Sequence, residues 1–187
     1  MGRPSTVSDD EMFAAVGQAL TEHGAASVQA IVDRTGVSVG SLYHRYGSRE
    51  GLLAQTWIDA VESFQQCFVD ALAQSAEAAA VATPRFCRAE PERAVVLACC
   101  RRSEFLAVGT PPALKQRIDA INDDAATHLR RFARREKLPK DAVQLALVAI
   151  PLGAVRQYLP ARAVPASLDE YVRAACRAVL RAARQTR

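Results

Sequence analysis

The stretch from Ser27 to Leu53 restricts the fold more than any other part of the 187-residue chain. Ser27 is a good helix N-cap, and Val28, Ile31 and Val32 fall on one face of the helix it opens. Gly36 suits the left-handed backbone position that ends a helix, and Val37 can fill the angle behind it. Ser38 then caps a second short helix that runs to about Tyr46 and buries Leu42 and Tyr46. A third helix starts directly afterwards at Ser48. Two short helices joined by a tight turn, with a third braced against them, leave few alternatives for the first fifty residues.

The outer face of the second helix carries Val39, Gly40, Ser41, Tyr43 and His44. Small residues at its start permit close approach to base edges in a major groove, and the ring donors of Tyr43 and His44 can reach flanking phosphates. These are the requirements of a helix-turn-helix. Charge supports this only locally. The whole chain is +4, but Met1 to Leu53 holds four arginines against six acids. Between Gly36 and Arg49, however, stand His44, Arg45 and Arg49 with no acid at all, which suits a surface meeting phosphate.

Ile31, Gly36-Val37-Ser38, Gly40-Ser41-Leu42-Tyr43 and Tyr46-Gly47-Ser48-Arg49-Glu50 with Leu52-Leu53 resemble the TetR (tetracycline-repressor-like) family of transcriptional regulators. The spacing holds from Ser27 to Leu53. Tyr46 stands where a Phe is usual, Arg49 where a Lys is usual, and Gly51 where Ala would make a better helix former, so a looser start to that helix is expected. The resemblance implies a dimer on a palindromic operator. It assigns Ser27, Ser38, Val39, Gly40, Ser41, Tyr43, His44 and Arg49 to the DNA-binding surface, with Val39, Gly40 and Ser41 facing bases and Tyr43, His44 and Arg49 meeting phosphates.

The rest of the chain reads as helix throughout, without clean period-two alternation. Residues 1–7 are expected to form an arm whose Arg3 can reach DNA. Ser8 to Glu11 is a capping box opening a helix with Phe13, Val16 and Leu20 inside, ending at His23-Gly24. Ser48 to about Ser75 is one long helix with Leu52, Leu53, Trp57, Val61, Phe64, Phe68 and Leu72 at helical spacing, a natural lever between two parts. Pro84 and Pro91 each suit a helix start, giving helices at 84–89 and 91–105, the latter burying Val95, Val96, Cys99 and Cys100. Pro112 to about Glu136 follows, with Arg130, Arg131, Arg134 and Arg135 on its outer face as a solvated surface. The helix from Lys140 to Tyr158 is apolar on nearly every side and needs cover all round. The last helix, Leu168 to Ala183, carries the stripe Leu168, Val172, Ala175, Cys176, Val179 and Ala183.

The expected fold is therefore all-α with about nine helices. A helix-turn-helix domain (1–53, motif 27–46) precedes a larger effector-binding and dimerisation domain (54–187). A second copy pairing through 140–158 and 168–183 is the simplest cover for the apolar helices. Trp57, Phe64, Phe68, Phe86, Cys99 and Phe105 are the candidate lining of an apolar effector pocket. The longest apolar run, Ala142 to Val155, is below the roughly 18 residues of a membrane span. No secretory pattern stands at Met1 to Thr6, so a cytoplasmic protein is expected. The five cysteines lack metal-ligand spacing, and His23, His44 and His128 are scattered. No catalytic set, metal or cofactor is expected. The alternatives are a helical small-molecule carrier or a thiol-based sensor, the latter because Arg101-Arg102 follow Cys99-Cys100.

Overall fold

The computed structural model describes residues 7–99 and 110–185. Arg3, Cys100 to Arg102 and Phe105 lie outside these residues. Every regular element among the described residues is helical. In order they are α1 (Asp9–His23), α2 (Val28–Thr35), α3 (Val39–Tyr46), α4 (Arg49–Gln74), α5 (Ala76–Ala89), α6 (Pro91–Cys99) and α7 (Pro112–Arg135). Then come α8, made of Lys140–Gln144, a π turn over Leu145–Ala149 and Ile150–Val155, and α9 (Leu168–Gln185). Taken as rods, these are nine among the described residues.

The first four helices are punctuated as their sequences require. Ser8, Ser27, Ser38 and Ser48 each stand in extended backbone and accept a hydrogen bond from an amide in the first turn. Ser8 and Glu11 complete the capping box reciprocally. That bond to the Ser8 backbone holds the Glu11 carboxyl below its usual range. Gly24 and Gly36 end α1 and α2 at φ 68° and 69°, where a Cβ would be strained.

Two apolar clusters divide the interior. The first joins Met12, Val16, Ile31, Leu42, Tyr46, Leu52, Trp57 and Val61 to Val96 of α6 and to Ile118 and Ile121 of α7. The second gathers Phe68, Leu72, α5, Phe132, Leu147, Val155, Val172, Cys176 and Leu180. Helix α4, 26 residues long, belongs to both. In α1, Met12, Ala15, Val16 and Ala19 are buried, while Phe13 and Leu20 are only partly so. The inner face is shifted because α1 packs on α6 as well as on α2 and α4.

Three expectations are corrected. Helix α5 starts at Ala76 under a Ser75 cap and runs unbroken through Pro84 instead of starting there. Pro84 is buried, and dense packing of α5 against α4, α8 and α9 outweighs the lost backbone bond. The rod from Lys140 stops at Val155 and contains a π turn. Pro151 lacks the amide that would bond the Leu147 carbonyl, and widening the preceding turn removes the clash with that carbonyl. Cys99 is exposed, although Val95 and Val96 beside it are buried as expected.

Gly51 does not loosen α4. A Cβ there would lie 2.1 Å from the carbonyl oxygen of Tyr46, so glycine is what lets α4 begin against the end of α3. At Gly40 a Cβ would meet only the Ser38 hydroxyl, at 3.9 Å. Gly51→Ala should therefore lower unfolding free energy by about 1–3 kcal/mol through overpacking. Gly40→Ala should raise it by up to about 1 kcal/mol through helix propensity. Urea titration of the two variants checks both signs, and equal effects would contradict the packing argument.

Candidate functional site

The turn between α2 and α3 sets the exposed surface. Ile31 and Leu42 are fully buried and Tyr46 nearly so, which fixes the inner side of both helices. The Tyr46 hydroxyl donates to Asp9 Oδ1 at 2.5 Å, and burial first, then that bond, raises its pKa. With the inner side fixed, Val39 and Tyr43 point outward at 40% and 43% exposure, and Gly40, Ser41 and His44 are exposed beside them. The Ser38 hydroxyl accepts from the Ser41 amide at 3.1 Å and donates to the Ser41 hydroxyl at 2.9 Å. Gly40 keeps the start of the helix thin where nothing in the chain itself demands it. Ser27 lies at the start of α2, where it accepts from the Ala30 amide at 3.1 Å.

The cations of this region are tied inward. Arg45 pairs with Asp9 at 2.7 Å and also donates to the Val7 carbonyl. Arg49 donates its Nε–H to the Ala26 carbonyl at 2.9 Å and lies 3.7 Å from Glu50. His44 is the one of the three without a bond of this kind among the described residues. Such half-exposed pairs are weak, about 0–1 kcal/mol, so a phosphate can displace them.

A second candidate site lies in the other half. A cavity of about 360 Å³ is walled by α4 to α8. Phe64 and Phe68 of α4 meet Phe86 of α5 there, with Phe64 at 5.8 Å and 5.4 Å from the other two rings. Ala94, Leu97 and Ala98 line it from α6, Leu129 from α7, and Leu147 and Val148 from the π turn of α8. Of the expected lining, Phe64, Phe68 and Phe86 are present. Trp57 is not, because it packs into the first apolar cluster with the helix-turn-helix. Cys99 does not line it either, and Phe105 lies outside the described residues.

Residues 18–56 match the family model described as bacterial regulatory proteins, tetR family. The segment that spans the helix-turn-helix thus carries the signature of the tetR-family regulatory proteins. The fold as a whole is similar to that of a TetR family transcriptional regulator, PfmR, from Thermus thermophilus, with a TM-score of 0.68 and 21% identity over 91% of this chain and 97% of that one. It is also similar to a putative tetR family transcription regulator from a Shewanella species, with a TM-score of 0.65 and 20% identity over 93% and 96%. No curated protein matches the chain by sequence.

One helix, α6, borders both the cavity and the first apolar cluster. The side of α6 away from the cavity lies against α1 so closely that a Cβ on Gly17 would sit 2.7 Å from the Cβ and carbonyl oxygen of Glu92. Next to Glu92, Arg93 donates to Asp59 of α4 at 2.7 Å, to Glu90 at 2.8 Å and to Asp10 of α1 at 2.8 Å. Sequence reasoning missed this clasp. The available signal was Gly17 itself, a glycine inside a helix, which often marks close approach of another backbone.

The thiols do not form a reactive centre among the described residues. Burial pushes Cys87 and Cys176 up to about 11. Such groups are thiols, not thiolates, near neutral pH, and the thiolate is the reactive form. Brief iodoacetamide treatment at neutral pH should label exposed Cys67 well before Cys87 or Cys176. Peptide mass spectrometry checks the order, and early labelling of Cys87 would restore a thiol-based sensor.

Proposed function

We propose that the protein is a dimeric, ligand-responsive transcriptional repressor without a catalytic role, acting in the cytoplasm. Residues 1–53 bind the operator, and residues 54–187 bind the effector and dimerise. One observation carries this reading. A TetR-family helix-turn-helix and an apolar cavity share the walls of α4 and α6 within a single chain.

Val39, Gly40 and Ser41 meet base edges in the major groove. Tyr43, His44 and Arg49 meet phosphates, Arg49 by exchanging the Ala26 carbonyl for a phosphate oxygen. Ser27 and Ser38 stand at helix starts whose free amides favour an anion. A second copy supplies the other recognition helix. Its seat is supported by apolar and small residues left uncovered on α8 and α9. On α8 these are Leu145 at 46% exposure, Ala149 and Gly153, and on α9 they are Tyr171 at 69%, Ala174 and Ala178. Pairing those helices gives two-fold symmetry and half-sites about one helical turn apart.

Release of the operator follows from the shared walls. An effector that fits the cavity better when α6 and α4 shift moves α1 through Gly17 and Arg93. The spacing of the two recognition helices then changes, and affinity falls by a coupling energy of typically about 1–3 kcal/mol.

Selection from a random duplex pool should enrich a two-fold symmetric sequence, with affinity that drops as salt rises. Tyr43→Phe should weaken binding to that sequence without changing thermal unfolding. An unenriched pool would remove the regulator reading, and unchanged binding by the variant would remove Tyr43 from the contact surface.

A further inference from the structure

The cavity wall specifies the chemistry of what it holds. Among the described residues no lysine, arginine, histidine, aspartate or glutamate lines it. Its polar side chains are Gln65, Thr83, Gln144 and the Cys87 thiol, which burial keeps protonated near neutral pH. The Gln65 amide already donates to the Ile121 carbonyl at 3.0 Å, bracing α4 on α7. Thr83, Gln144 and the Gln65 side-chain carbonyl oxygen are left as the hydrogen-bonding handles. A carboxylate, phosphate or ammonium entering here would lose its hydration without gaining a counter-charge from the described wall, which is unfavourable. Cation–π attraction does not reverse this for an ammonium. Phe64 and Phe86 meet edge to face at 72°, which uses one face of one ring, and phenyl is a weaker cation partner than indole.

Size narrows the class further. A cavity of about 150 Å³ lined by aliphatic and aromatic side chains takes benzene. By proportion, about 360 Å³ takes a molecule of roughly a dozen to fifteen non-hydrogen atoms. We infer that the cavity binds a small uncharged lipophile with an aromatic or alicyclic body and one or two hydrogen-bonding groups, such as a hydroxyl, carbonyl or ester. Naming it the effector rests on the regulator reading above; its chemistry rests on the wall alone.

Three probes of similar size separate the alternatives: methyl phenylbutyrate, phenylbutyrate and phenylbutylammonium, each titrated calorimetrically into the full chain at neutral pH. The ester should bind about tenfold or more tighter than either ion. Gln144 is exposed at the rim of the wall, so Gln144→Lys should fold normally while moving the preference toward phenylbutyrate. Equal or tighter binding of either ion by the unaltered chain would overturn the assignment, as would failure of all three probes to bind. If the ester binds but leaves the selected duplex complex intact, the chemistry of the cavity stands and the regulator reading fails. If phenylbutyrate alone releases the duplex, the regulator reading stands and the neutral-ligand assignment fails.

Discussion

Gly17 lets α6 lie against α1 at backbone distance, and Arg93 fastens the contact to α4. The rest of the arrangement depends on this. The helix-turn-helix cluster includes Val96, Ile118 and Ile121 from beyond the long helix. Any larger side chain at position 17 would lift α6 away and open that cluster. The same contact makes α6 a wall with two faces, one against α1 and one, through Ala94, Leu97 and Ala98, toward the cavity. Hydrogen bonding to Asp59 above all, outweighing partial burial, raises the pKa of Arg93, so the guanidinium stays charged at every accessible pH.

The cavity has its own constraint. Pro151 cannot complete a regular turn in α8, and the π turn before it carries Leu147 and Val148 into the wall. Helix α4 is held to α7 by Gln65 on Ile121 and by Arg117 on Glu62 at 2.8 Å. Arg156 holds the end of α8 to the Ala98 carbonyl of α6 at 2.7 Å. Thus polar contacts brace the walls, while most of the lining is apolar. On the exposed side of α3 the charge pattern is the reverse of a permanently basic patch. Arg45 and Arg49 are held by internal partners, so in the proposed complex a phosphate would replace existing weak bonds and gain less than from two free cations.

Much of the amino-terminal part was legible in the sequence because its signals are local. Caps at Ser27, Ser38 and Ser48, the turn at Gly36 and the burial of Leu42 and Tyr46 need only neighbours a few residues away. What escaped was non-local. Gly51 read as a weak helix former, yet its meaning lies in the Tyr46 carbonyl. Pro84 read as a helix start, yet tertiary packing carries α5 through it. Trp57 shares the helical stripe of Phe64 and Phe68, and periodicity alone could not tell which end of a 26-residue helix faces the cavity and which faces the first core. Cys99 shows the same limit, since its neighbours Val95 and Val96 are buried while it is exposed.

The most direct test of the account is the effect of ligand on duplex affinity in the unaltered chain and in Arg93→Met. With a saturating neutral ligand, the unaltered chain should lose roughly 5- to 150-fold in affinity for its selected duplex. Arg93→Met should bind that duplex and that ligand separately, yet show a much smaller ligand effect. An undiminished ligand effect in the variant would contradict transmission through the α6 clasp.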